Sequence, residues 1–168
     1  MATRDVAFRE MPAEVDAVLD RFRTGELTTF ARNGTPVTVE VAPLWQRDSG
    51  RILLSTGIGL PHKAYNVRRD PRVSILYSDP TGSGLTDPPA VLVQGDATAS
   101  DIVTWDDELA AHWHLIWRRQ PKGLGVDPIT RRVMWWYFQR IKIHIVPRRI
   151  RWWPGGDMAT APREVRVP

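Results

Sequence analysis

Two β-branched runs, LTTFA and TPVTVEV, stand on either side of Asn33-Gly34, a dipeptide that readily accepts the positive φ angles of a tight hairpin turn. A chain that opens this way pairs its strands antiparallel. A second turn signal, RDSG at 47–50, hands over to RILLST, so the first three strands form a meander. Strand-like runs follow at 71–78 and 90–100, the latter alternating as VLVQGDA, and IKIHIV at 141–146 alternates apolar with polar. Six strands with few helices point to a small closed antiparallel barrel, since closure leaves no exposed sheet edge.

Helical spacing fills the gaps between these runs. Val15, Val18, Leu19 and Phe22 form the stripe of an amphipathic helix that starts near Pro12 and stops at Gly25. Thr104 with Asp107 resembles a capping box, and behind it Trp105, Leu109, His112 or Trp113, Ile116 and Trp117 recur at helical spacing, predicting a helix over 101–119. Asp127-Pro128 fits an N-cap followed by proline at the first helical position, opening a short helix to about Trp135. No linker divides the 168 residues, so one domain over 12–153 is expected. The tail, 154–168, with GGD and scattered charges, is expected to be poorly ordered.

Composition excludes several functions. Apolar runs such as VLV at 91–93 fall far short of the roughly 20 residues of a membrane helix. The N-terminus lacks an apolar signal region and the chain has no cysteine, so the expectation is a soluble, cytoplasmic protein without thiol or zinc-thiolate chemistry and without a membrane. Net charge is +4, but acidic residues are interspersed and no block of like charge exists, so nucleic acid is not an expected partner. The arginines greatly outnumber the lysines, a bias that reads as GC-rich coding rather than selection for a ligand. His112 and His114 diverge by about 200° on a helix and cannot share one metal ion. No Ser-His-Asp set, glycosidase carboxylate pair or Walker loop stands at workable spacing, so hydrolysis has no support. Of the eight tryptophans, most are expected in the core or at a subunit interface, with Trp113, Trp117, Trp135 and Trp136 able to wall a planar ring.

The stretch LLSTGIGLPHKAYNVRRDPRVS, 53–74, carries the clearest functional signal. A plain strand connection needs about 2 to 6 residues, whereas this one is far longer and holds several cationic groups. A helix beginning near Pro61 points its unpaired N–H groups into the Gly57–Gly59 loop, and Lys63 adds a mobile positive charge, which together favour an anion.

The order helix, GTPVTV, APLW, RILLSTG, HKAYNVRRDPRVSIL and VLVQGDA resembles the split β-barrel flavin and deazaflavin oxidoreductases, the superfamily of pyridoxamine 5'-phosphate oxidase, from about Val15 to Trp153. Its most specific part is Ser55-Thr56 followed by Lys63, Asn66 and Arg69-Asp70-Pro71-Arg72-Val73. The resemblance implies a mainly β (α+β), six-stranded antiparallel split β-barrel with flanking helices. It also implies a homodimer with the cofactor at the subunit interface, its phosphate held around Ser55, Thr56, Gly57, Lys63 and Asn66, with Arg69 beside them. Trp45 is placed next to that cleft at a strand end. The FMN oxidases of the superfamily carry arginine where this chain has His62, which favours the deazaflavin coenzyme F420 over FMN. The implied function is hydride transfer from reduced F420 to a small organic substrate, with an FMN oxidase or a non-catalytic flavin, deazaflavin or haem binder as alternatives. No catalytic residue is assigned, because in this family the cofactor carries the chemistry.

Overall fold

The computed structural model describes residues 11–119 and 128–167. Helix α1 (Ala13–Arg21) buries Val15, Val18 and Leu19, the predicted stripe, and turns its acidic face to two indoles: Trp45 Nε1 donates to Asp16 and Trp152 Nε1 to Glu14. Strands β1 (Gly25–Phe30) and β2 (Pro36–Val41) form the first hairpin in the expected place. Its turn is wider than a two-residue loop. Only Gly34 takes a positive φ, while Gly34 N donates to Ala31 O and Ala31 N to Thr35 O, the geometry of a type I turn completed by a left-handed glycine.

After β3 (Leu44–Gln46) and β4 (Arg51–Gly57) come helix α2 (His62–Arg69), β5 (Arg72–Tyr77) and the long strand β6 (Ala90–Val103). Helices α3 (Asp107–Arg119) and α4 (Pro128–Val133) precede a second long strand, β7 (Arg140–Trp153), and β8 (Arg163–Arg166). Every pairing is antiparallel, and the ladder runs β2-β1-β5-β6-β7-β4-β3, with β8 on β7. Alternate residues of β1, β4, β5, β6 and β7 meet α1 and α2 in one core, including Leu27, Ile52, Ile75, Val93 and Ile143. The fold is thus a mainly β split barrel with flanking helices.

Four expectations change. The barrel is split rather than closed: among the described residues β2 pairs with β1 and β3 with β4, and Ala42-Pro43 lies between β2 and β3. Proline has no N–H to continue a ladder, so VTVEVAPLW breaks into two strands where one is expected, and with β8 the count rises from six to eight. Helix α3 is capped by Asp106, whose carboxylate accepts from Leu109 N at 2.8 Å, not by Thr104, because β6 continues to Val103. In the segment expected to be loose, residues 163–166 pair with β7; Glu164 meets Arg149 and Arg151, and Val167 is buried. Charges scattered in sequence become alternate neighbours across a ladder. The predicted Asp127 cap lies outside the described residues. No helix among them is long and apolar enough to cross a membrane.

Gly95 explains how the two long strands pass. A Cβ there would lie 2.2 Å from Val146 O, and the β6–β7 register shifts between Gln94 and Gly95, so glycine permits a bulge that bends the pair.

Candidate functional site

The end of β4, the turn into α2, the start of β7 and the 3-10 turn Trp135–Phe138 enclose a cleft of about 280 Å³. Ser55, Thr56, Lys63, Trp136, Tyr137 and Arg140 line it, and no carboxylate does among the described residues. The β4–β7 register sets Gly57 opposite Arg140, and a Cβ on Gly57 would touch the guanidinium at 3.4 Å. Glycine here keeps room beside a charged group; its φ is ordinary.

Two cations occupy this cleft. Lys63 Nζ donates to Thr56 Oγ1 at 3.0 Å, and the Thr56 hydroxyl donates to Leu60 O at 2.8 Å. The Arg140 guanidinium lies 4.4 Å from the Trp113 ring centroid and 5.1 Å from that of Tyr137, and its buried Nε has no partner. Burial, and then the charge of Arg140, lowers the pKa of Lys63; burial lowers that of Arg140. Each cation is therefore desolvated and faces another of its own sign. An anion would relieve both costs.

The remaining sequence-selected residues are distributed more widely. Ser55 lines the cleft and its Oγ lies 3.0 Å from His112 Nδ1 on α3. His62 is the exposed first residue of α2, outside the cleft lining. Asn66 donates to Thr29 Oγ1 at 3.0 Å, and Arg69 donates to Phe30 O and Asn66 Oδ1, so both fasten α2 to β1. Lys63 and Asn66 share a helix but serve opposite neighbours. Trp45 is buried against α1 through Asp16, away from the cleft, because β3 turns that side chain to the core. Trp136 lines the cleft with half its surface exposed, while Trp113 lies beneath Arg140.

Sequence reasoning missed Arg140 and His112 as site residues. Arg140 follows the aromatic run WWYF and opens an alternating strand, but nothing local says that the strand starts beside Gly57. His112 reads from the sequence as a helix-stripe position that cannot share a metal with His114, whereas its ring spans Ser55 and Ala42 O. Among the described residues no group of three or more His, Asp or Glu could hold a metal ion.

With two cations, no facing acid and an aromatic rim, the cleft can hold a phosphate but offers no acid–base pair of its own. The orphaned Arg140 Nε and the absence of a carboxylate fit a phosphate-bearing cofactor.

The family model described as pyridoxamine 5'-phosphate oxidase matches residues 11–140. No curated protein sequence matches the chain. Among solved structures, the conserved hypothetical protein Rv2991 of Mycobacterium tuberculosis is 25% identical, with 92% of each chain covered and a TM-score of 0.63. A structure described as an F420 reductase is 22% identical over 80% of this chain and 94% of its own, with a TM-score of 0.56. A haem-binding protein of Mycobacterium smegmatis is 20% identical over 93% of this chain and 59% of its own, with a TM-score of 0.59. The last two likenesses carry the fold alone.

Proposed function

Because the chain belongs to the pyridoxamine 5'-phosphate oxidase family, which binds flavin-type cofactors and includes oxidoreductases, we propose that it is an oxidoreductase holding such a cofactor by its phosphate between Lys63 and Arg140. The observation that carries this reading is the pair of desolvated cations in a cleft without a carboxylate. In this reading the cofactor is F420, which when reduced supplies a hydride to a small organic substrate. The chain's own part is to anchor the phosphate, set its stem along β4 and shield that end from water with Trp136 and Tyr137.

His62 in place of arginine supports F420, since the first turn of α2 then offers no planar fork for a terminal phosphate dianion. FMN is the second reading, and one observation favours it: Arg140 brings a guanidinium to the cleft from β7. Haem has less support, because no histidine lines the cleft among the described residues, and the rings of His112 and His144 are held by Ser55, Ala42 O and Glu108.

The same reading makes the protein a cytoplasmic homodimer. The cleft, about 280 Å³, lies at the small end of ligand sites, and in this reading a partner surface covers its open side. Strand β2 is exposed along nearly its whole length, Val37 and Val39 included, and Trp135 and Trp136 are also exposed. Absorbance and fluorescence titrations with F420, FMN and haemin test the cofactor, and sedimentation tests the dimer. Tighter binding of F420, followed by substrate-dependent oxidation of its reduced form, supports the reading. Preference for FMN or haemin, or a concentration-independent monomer, overturns the corresponding part.

A further inference from the structure

Trp113 is buried, and its indole N–H finds no acceptor. A buried donor left unmet calls for a reason beyond packing, and a redox role is one such reason. The ring is the middle of an aromatic series. On one side it meets Tyr137, which lines the cleft, with ring centroids 6.2 Å apart. On the other it stacks on Trp117, one turn further along α3, at 5.6 Å and 24°. Trp117 stacks in turn on Trp105, just ahead of α3, at 6.5 Å and 27°. Trp105 is 44% exposed. Neighbouring rings are thus in direct contact all the way from the cleft to solvent.

The series also has a direction. An indole that loses an electron becomes a radical cation. At Trp113 that positive charge would lie 4.4 Å from the Arg140 guanidinium, so the attraction between cation and ring becomes repulsion between like charges. Burial adds a desolvation cost, and without an acceptor the N–H cannot shed its proton. Trp105, at the other end, has water to solvate the charge. A positive hole is therefore costly at Trp113 and less so at Trp105.

We propose that Trp113, Trp117 and Trp105 form a relay that carries one-electron oxidation out of the cleft to the protein surface. An oxygen-centred radical in the cleft takes one electron from Trp113 across Tyr137 and, with a proton from water, becomes a hydroxyl compound. Trp117 then refills Trp113, and Trp105 refills Trp117, by one electron each. The Trp105 radical cation releases its N–H proton to water, and a soluble thiol restores the indole by giving up a hydrogen atom. The net change converts one oxygen radical and one thiol into a hydroxyl compound and a thiyl radical, and every indole returns to its starting state. The use of such a relay rests on the reading of the cleft as a redox site. The relay itself is a property of these rings.

The chain has no cysteine, so Leu60→Cys, at an exposed position of the cleft lining, gives a single attachment point for a ruthenium polypyridyl photo-oxidant. Flashes in the presence of a soluble electron acceptor then generate ruthenium(III) in the cleft of the ligand-free protein. Transient absorption reads the indole radical, and peptide mass spectrometry after repeated flashes in air reads where oxidation ends. The labelled parent should accumulate its products at Trp105, and a soluble thiol should suppress them. Trp117→Phe should abolish the Trp105 products and hold oxidation at Trp113 and Tyr137. Trp105→Phe, at a half-exposed position, should stop it at Trp117. Trp105 products that survive Trp117→Phe, an absence of Trp117 products in Trp105→Phe, or oxidation that ends at Trp136 or Tyr137 in the parent overturns the relay. Because the flash needs no cofactor, the two readings fail separately. A working relay in a protein that binds none of F420, FMN and haemin keeps the relay and overturns the cofactor reading, and a dead relay in a protein that binds one of them does the reverse.

Discussion

Lys142 and Lys63 are two substantially buried lysines of one chain with opposite surroundings. Lys142, on β7, donates to Asp106 at 2.6 Å and Glu108 at 2.8 Å, and Glu108 also meets Gln46 and His144. Burial opposes its charge, but those carboxylates outweigh it and raise its pKa. Lys63 meets one hydroxyl and a neighbouring arginine, and its pKa falls. The first lysine is neutralised within the chain and joins α3 to the sheet. The second is left for something the chain does not supply. A buried cation whose counter-charge comes from within contributes to the fold, whereas one without it marks a binding site.

The comparison breaks most easily at Lys142. Lys142→Met removes the cation that Asp106 and Glu108 share, leaving Asp106 without its ion pair and Glu108 with Arg51 at 3.8 Å, and should lower the unfolding free energy by about 2 kcal/mol, a reduced form of the loss seen when a buried pair is broken. Urea denaturation reads it directly. Lys63→Met in the same assay should change stability by no more than about 1 kcal/mol, since it loses one hydrogen bond to Thr56 and breaks no ion pair. Equal losses would mean that both lysines serve the fold.

Binding should show the reverse order. Lys63→Ala should weaken a phosphate-bearing cofactor by about 10- to 100-fold, as expected for loss of a charge-assisted contact worth roughly 1.5 to 3 kcal/mol. Calorimetry with intact circular dichroism checks it. An unchanged dissociation constant would move the anion elsewhere.

Acid sharpens the contrast further. At Glu108 burial works to raise the pKa, but hydrogen bonds from Lys142, Gln46 and His144 prevail and hold it at about 2. A carboxyl depressed below its unfolded value of about 4.3 stabilises the fold fully above that pH and loses its contribution as pH falls towards 2. Unfolding free energy should therefore decline over that window, and Glu108→Gln should flatten the decline. A variant with an undiminished acid slope would remove Glu108 as its source.

His62→Arg should have the smallest effect. His62 is exposed and does not line the cleft, so an arginine there should favour FMN over F420 by about 1 kcal/mol or less, the worth of one solvated charged contact. Paired titrations with both cofactors measure it. Equal tightening of both would sever His62 from cofactor choice.

Much of the fold was legible because its signals are local. The stripe Val15, Val18, Leu19 and Phe22 needs only 3.6-residue periodicity, and the hairpin at Gly34 needs only a residue tolerant of positive φ. Ser55, Thr56, Gly57 and Lys63 were found together because one short loop joins them. Trp45 was misplaced because a three-residue strand carries too little alternation to say which face is inward. The ordered segment 163–166 was missed because Glu164 has meaning only opposite Arg149 and Arg151.

The sequence alone determined the antiparallel strands, the first helix and the glycine-containing loop with its lysine at 57–63, since each depends on residues within a few positions of one another. Only the tertiary structure decided what completes that loop. Arg140 reaches it through the β4–β7 register, and His112 through the packing of α3 across the end of β4. Both lie more than fifty positions beyond Ser55, a separation over which periodicity carries no information and only strand pairing and helix packing bring residues together.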